Sequence, residues 1–242
     1  MAHTLQDYTT KYKLSKIFSQ VDVAELAARL GACSTLDRRG NLVWYDDFEA
    51  AAAVKWLITA DGAGTGALST DRSWMGNQSM KTVTDVAVGN DVTLFKSFRL
   101  PTERTLASEL MFCITGGKPR IQINLIGYTG TNAFQGAVKY DHNVQKLYYY
   151  SSTPAWVELT RTDSVATIRE PWFLMKLVVD WDTIKYKRFL FGGTTYDLSD
   201  IDMYSFEDTS DTCLLISIIN QAETAAAATV YFDNFILTQN EP

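Results

Sequence analysis

The sequence predicts an all-β protein, a two-sheet antiparallel sandwich preceded by an N-terminal arm and one short helix. Three observations carry this expectation. From Leu42 to the end, roughly a dozen apolar runs of about five to eight residues recur with turn residues between them. Aromatic residues make up 12% of the 242 residues, mostly Tyr and Phe, types that fit a pleated, half-buried surface. No helical pattern alternates with these runs, which excludes a parallel sheet with crossover helices.

Residues 1–40 stand apart as an anchoring segment. They open as a polar arm of mixed charge and continue into "VDVAELAARL". Asp22 and Glu25 form a capping box that satisfies free N–H groups at a helix start. Val23, Leu26, Ala27 and Leu30 then share one face, and Gly31 ends the helix. So short a helix is marginal in water, so that apolar face is expected to dock on a partner.

Residues 41–242 form the sandwich. "RRGN" is a turn, and "LVWYDDFEA" (Leu42–Ala50) opens the β pattern. Asp61–Thr70, rich in Gly, Ala and Thr, reads as a loop. "SMKTVTDVAVGNDVTLFKSFRL" reads as two strands joined at "VGND". "ASELMFCI" and "RIQINLIGYTG" follow, separated by "TGGKP". The latter alternates: Ile121, Ile123 and Leu125 face the core, while Gln122, Asn124, Ile126 and Tyr128 face away. "GAVKYDHNVQKLYYYSS" is a hairpin and "AWVEL" a short strand. "WDTI" and "FGGT" are turns in the strand-rich stretch from Pro171 to Ser199. Trp172 and Trp181 fall in apolar strands and are expected in the core. "TCLLISIINQ" and "TVYFDNFILT" complete the set. In the last strand, strict alternation puts Asp233 on a face with Tyr231, Phe235 and Leu237, where a carboxylate is costly unless it is paired.

A net charge of −6 argues against nucleic acid, which needs a basic face. No apolar run approaches the length of a membrane span, and no signal-peptide core is visible. Cys33, Cys113 and Cys213 are far apart, without zinc spacing. Cys113 and Cys213 lie in apolar strands and are expected as buried thiols, which fits a protein made in a reducing cytoplasm.

"VDWDTIKYKRFLFGGTTYDLS" resembles the late hairpin of concanavalin A-like (laminin-G-like) jelly rolls. "WYDDFEA", "GNQSMKT" and "YFDNFIL" together are similar to carbohydrate-binding jelly-roll modules, over about residues 42–240. The resemblance implies that the first and last strands lie side by side. It also implies a structural calcium, with Asp47, Glu49 and Asp233 as its ligands, since calcium takes six to eight oxygens. The alternative is that these acids accept hydrogen bonds from turn backbones or pair with a nearby cation.

Only two histidines occur, His3 and His142, neither in a catalytic pattern. The Glu-x-Asp-x-x-Glu spacing of hydrolases resembling this fold is absent, so the expectation is a protein without enzymatic activity. For sugar binding the candidate platforms are Trp74, Tyr128, Tyr148, Tyr150 and Trp156, with Asn77 as a polar partner. The same rings also suit packing under loops or at a subunit contact.

The arm and helix tip the functional expectation. The organisation resembles tailed-phage virion proteins, so the leading expectation is a virion-surface structural or decoration protein. Such a protein would be homo-oligomeric and dock on capsid subunits through residues 1–40. A carbohydrate-binding module is the alternative, and a jelly-roll glycoside hydrolase or lyase the third.

Overall fold

The computed structural model describes residues 39–50, 55–159 and 172–242. The expected helix with Val23, Leu26, Ala27 and Leu30 lies outside the described residues. Sixteen strands are present among them, more than expected from the sequence. The first eight are β1 (Asn41–Asp46), β2 (Leu57–Ala60), β3 (Thr65–Ser69), β4 (Ser79–Val83), β5 (Asp91–Phe98), β6 (Thr105–Gly116), β7 (Pro119–Tyr128) and β8 (Asn132–Asp141). The second eight are β9 (Lys146–Tyr150), β10 (Trp156–Glu158), β11 (Phe173–Asp180), β12 (Lys185–Phe191), β13 (Thr194–Asp197), β14 (Tyr204–Glu207), β15 (Cys213–Ala222) and β16 (Thr229–Gln239). The described residues contain no helix, and no helix among them is long and apolar enough to cross a membrane.

The strands form two antiparallel sheets of eight. The first runs β13-β12-β11-β6-β16-β4-β3, with β1 also on β16. The second runs β10-β9-β8-β7-β15-β5-β2, with β14 also on β8. Leu110, Phe112, Leu177, Phe189 and Phe232 of the first sheet and Ile121, Ile123, Leu125, Ile216 and Ile218 of the second belong to one buried cluster. The side-chain period of two sends these residues inward and their neighbours out.

Two strand edges are each shared by two partners. β16 pairs β4 through Thr229–Phe232 and β1 through Phe235–Gln239. Between the two, the β16–β6 register slips at Asp233–Ile236, and Asn234 takes a positive φ of 50°. This bulge resets the alternation. Phe235 and Leu237 therefore join Phe232 in the core, and Asp233 does not share their face as strict alternation expected. The outer edge of β8 is likewise divided between β14 and β9.

Four local expectations change. "VGND" does not close a hairpin, because β4 and β5 lie in opposite sheets. The chain crosses there, held by Gly89 N–H donating to Ala222 O at 2.9 Å and Ala222 N–H donating to Asn90 O at 2.9 Å. The Gly-rich stretch after Asp61 contains an edge strand, β3, paired along its length with β4. Trp181 is buried in the main core, but Trp172 packs on a small separate cluster of Met111, Leu174 and Leu190. Cys113 is buried and Cys213 only half-buried.

Candidate functional site

The outer face of the second sheet gathers aromatic, amide and charged side chains. Register fixes which residues meet there. One cross-strand row holds Glu158, Tyr148, Lys139, Gln122 and Ile219. The next holds Asp141, Arg120 and Gln221. On the other side Asn124 stands between Ala137 and Ser217. At the β9–β10 edge Trp156 pairs Tyr150, their ring centroids 5.1 Å apart. Tyr204 of β14 meets Tyr150 edge-on at 5.7 Å and stacks on Phe206 at 5.2 Å. Each such pair contributes about 0.5–1.5 kcal/mol beyond its area, so the rings form a set platform.

The platform is anchored through the core. The Tyr186 hydroxyl reaches from β12 to the opposite sheet, where it donates to Tyr150 O at 2.6 Å and accepts from Ala137 N–H at 2.9 Å. Burial raises the Tyr186 phenol well above its usual range, so it stays a neutral donor.

Lys139 lies at the centre of this face. It is 5% exposed, and its ammonium sits 4.7 Å from the Tyr148 ring centroid and 4.4 Å from that of Trp156. Both distances are within cation–π range. Burial, reinforced by the Arg120 charge and opposed by Asp141 and Glu223, brings the Lys139 ammonium down to about 8. Burial, with the Asp141 charge, raises the Tyr148 phenol. Beside them runs an amide chain. Gln122 Nε2 donates to Asn124 Oδ1 at 2.7 Å, and Asn124 Nδ2 donates to Ser217 Oγ at 2.7 Å. Arg120 is ion-paired with Glu223 at 2.7 Å and bonded to Gln221 at 2.8 Å.

The carboxylates of "WYDDFE" and "YFDNF" serve a different place. The loop between β3 and β4 is held by two of them. Asp233 Oδ2 accepts from Trp74 N–H at 2.7 Å and Met75 N–H at 3.2 Å, and Oδ1 accepts from Asn234 N–H. Glu49 Oε1 accepts from Asn77 N–H at 2.6 Å and Gln78 N–H at 2.8 Å. Gly76, at a φ of +75°, lies between them, and a Cβ there would meet Glu49 Oε1 at 2.3 Å, so both its conformation and its closeness require glycine. Asp47 makes only a local turn, accepting from Glu49 N–H. Burial, opposed by the three N–H bonds and helped by the Glu49 charge, lifts the Asp233 carboxyl to about 6.

Asp47, Glu49 and Asp233 as placed do not fit a calcium site. Backbone N–H groups donate to both Asp233 oxygens, to Glu49 Oε1 and to Asp47 Oδ1. Among the described residues no three His, Cys, Asp or Glu side chains gather as metal donors. Of the two alternatives left open for Asp233, the structure has the backbone N–H one.

Of the sequence candidates, Tyr148, Tyr150 and Trp156 come together. Tyr128 lies on the same face but near its far end, opposite Cys213 and Ala133. Trp74, 42% exposed, and Asn77 belong to the clasped β3–β4 loop. Lys139, Gln122, Ser217 and Tyr204 were not singled out. The outward parity of "RIQINLIGY" pointed to the amides, but nothing in "GAVKYD" marks Lys139, whose burial depends on rings from β9 and β10. Asp46 was also missed. It is 2% exposed and accepts from Trp56 Nε1 at 3.1 Å and Lys55 Nζ at 3.0 Å. It thereby pins Trp56 into an aromatic group with Trp44, Phe48 and Phe235.

No protein-family model and no curated protein matches the sequence. Solved structures do match in shape. Endo-β-1,4-glucuronan lyase from the fungus Trichoderma reesei aligns with a TM-score of 0.57 at 11% identity, covering 83% of this chain and 96% of that one. The lectin UEA-II in complex with galactose aligns with a TM-score of 0.50 at 9% identity, covering 83% and 99%. A carbohydrate esterase from Shiga toxin-encoding bacteriophage phi24B aligns with a TM-score of 0.52 at 11% identity, covering 84% and 100%.

The fold is a concanavalin A-like jelly roll. Among its neighbours are carbohydrate-binding and carbohydrate-active proteins. The expectation of a protein without enzymatic activity is corrected by the same finding. It rested on missing hydrolase spacing, and solved structures of the same fold include a lyase and an esterase, so that missing spacing does not exclude activity.

Proposed function

We propose that this jelly roll recognises carbohydrate on the outer face of its second sheet. One observation carries the reading: Tyr150 and Trp156 pack as a paired platform beside the Gln122–Asn124–Ser217 amide chain. Sugar binding needs both parts, since the C–H faces of a pyranose lie on electron-rich rings while its hydroxyls need donors and acceptors. The rings belong to adjacent strands about 4.8 Å apart, so a glycan lying across the strands meets several strands in succession.

A glycan array followed by calorimetry tests this. Trp156→Ala and Tyr150→Ala should each abolish or sharply weaken binding, while Trp74→Ala on the opposite-sheet loop should not. Retained binding in both platform variants would refute the assignment. The same incubations are scored for shortened or de-esterified product, because a lyase and an esterase share the fold.

The virion-docking expectation rests on residues 1–40, and the helix expected there lies outside the described residues. The comparisons support it less than they support glycan recognition.

A further inference from the structure

Resting on that glycan reading, we infer that the face selects a carboxylated sugar and that Lys139 is the group receiving the acid. Lys139 is nine-tenths buried, yet no carboxylate of the described residues lies within ion-pair distance of its ammonium. Its cationic neighbours differ. Arg120 is paired with Glu223 at 2.7 Å, and Lys146 with Glu158 at 2.7 Å. The acids nearest Lys139 are thus engaged elsewhere. Its closest compensation is the faces of Tyr148 and Trp156, with Asp141 and Glu223 acting from beyond ion-pair distance; rings compensate an ammonium far less than a paired carboxylate does.

Such a cation is costly to the empty protein, and burial accordingly drives it toward the neutral form. An incoming carboxylate removes that cost. It would arrive between the rings that hold the sugar body and beside Gln122, whose amide is bonded on one side to Asn124. One ammonium matches one negative charge. Glu158, Asp141 and Glu223 around the face, together with the net charge of −6, oppose a ligand dense in sulfate or phosphate. The ligand class is therefore a hexuronate-containing oligosaccharide.

The experiment titrates the full chain with β-1,4-linked oligoglucuronate and oligogalacturonate, with their carboxyl-reduced counterparts, and with a sulfated neutral oligosaccharide. At least one acidic oligosaccharide should bind about tenfold or more tighter than its reduced form, the scale of one charge-assisted hydrogen bond. Lys139→Met should erase that difference, and Lys139→Arg should keep it. The preference should fade as pH rises through about 8, where Lys139 loses its proton. The charged and titratable groups facing it are Arg120, Asp141, Tyr148, Glu158 and Glu223; burial raises the Tyr148 phenol, away from that window. Equal binding of acid and reduced forms, preference for the sulfated sugar, or discrimination surviving in a folded Lys139→Met protein would overturn the inference while leaving the glycan reading intact. Binding of none of these, or binding indifferent to Trp156→Ala, would overturn both.

Discussion

Asp233 and Glu49 hold one loop from two separate places in the fold. Asp233, at the bulge of β16, takes the N–H groups of Trp74 and Met75; Glu49, just past β1, takes those of Asn77 and Gln78. The two carboxylates, far apart in sequence, thus share a purpose. They fix the β3–β4 connection where β16 changes partner from β4 to β1.

Asp233→Ala is expected to cost about 1.5–3 kcal/mol of unfolding free energy, the range for hydrogen bonds to a charged group. Glu49→Ala should cost a similar amount, and the double variant less than the sum, because one loop is released either way. Denaturant unfolding measures all three. The losses should be the same with and without a chelator. A loss that appears only in calcium-containing buffer would reassign these carboxylates as metal ligands.

The Asp233 proton gives a pH signature. Burial lifts the group from 3.8 to about 6 in the fold. The folded state therefore holds this proton more tightly than the unfolded chain. Its contribution to stability is fully present below the unfolded value and is lost as pH rises through about 6. Asp233→Asn keeps an oxygen acceptor for Trp74 and Met75 but does not titrate. The stability of the native protein relative to this variant should rise as pH falls from 7 to 4. A difference that stays flat across that window would show that Asp233 is not held in a proton-retaining environment.

Tyr186→Phe tests the anchor beneath the platform. It leaves Ala137 N–H and Tyr150 O without the hydroxyl that joins them. A loss of about 1–3 kcal/mol is expected for buried groups left unpaired, together with weaker glycan binding, because Tyr150 is one of the platform rings. Unchanged glycan affinity at reduced stability would confine Tyr186 to a purely structural role.

The sandwich was legible because alternation reports burial directly. Ile121, Ile123 and Leu125 could be placed in the core from spacing alone, and they are fully buried. Alternation failed where one residue broke it. Asn234 in a left-handed conformation reversed the faces of the last strand, and no local sequence signal separates that Asn from one in a regular strand. "VGND" misled for a related reason. Its turn residues serve a crossing between sheets, and the choice is made by Ala222, far along the chain. Tyr148, Tyr150 and Trp156 could be flagged one by one, but their meeting required the β9–β10 pairing. Lys139 was invisible because a lysine's cost depends on what covers it.

The outer face of the first sheet offers the sharpest stability test. Lys176 is fully buried, with Glu241 at 2.8 Å and Glu109 at 3.6 Å. Glu241 also binds Arg188 at 2.5 Å and accepts from the Thr238 hydroxyl at 2.5 Å, while Arg188 donates to the Pro242 carbonyl. One carboxylate near the C-terminal end therefore serves two buried cations. Removing one partner of a buried ion pair costs about 3–5 kcal/mol, mostly from the charge left behind, whereas replacing a whole group with apolar side chains can be nearly neutral. Glu241→Ala should fall in that range by denaturant unfolding. Adding Lys176→Met to Glu241→Ala should recover part of the loss, because the buried ammonium that lost its nearer carboxylate is then gone. If the double variant is as unstable as the sum of the single ones, the cost lies in lost packing of the C-terminal residues and not in an unpaired charge.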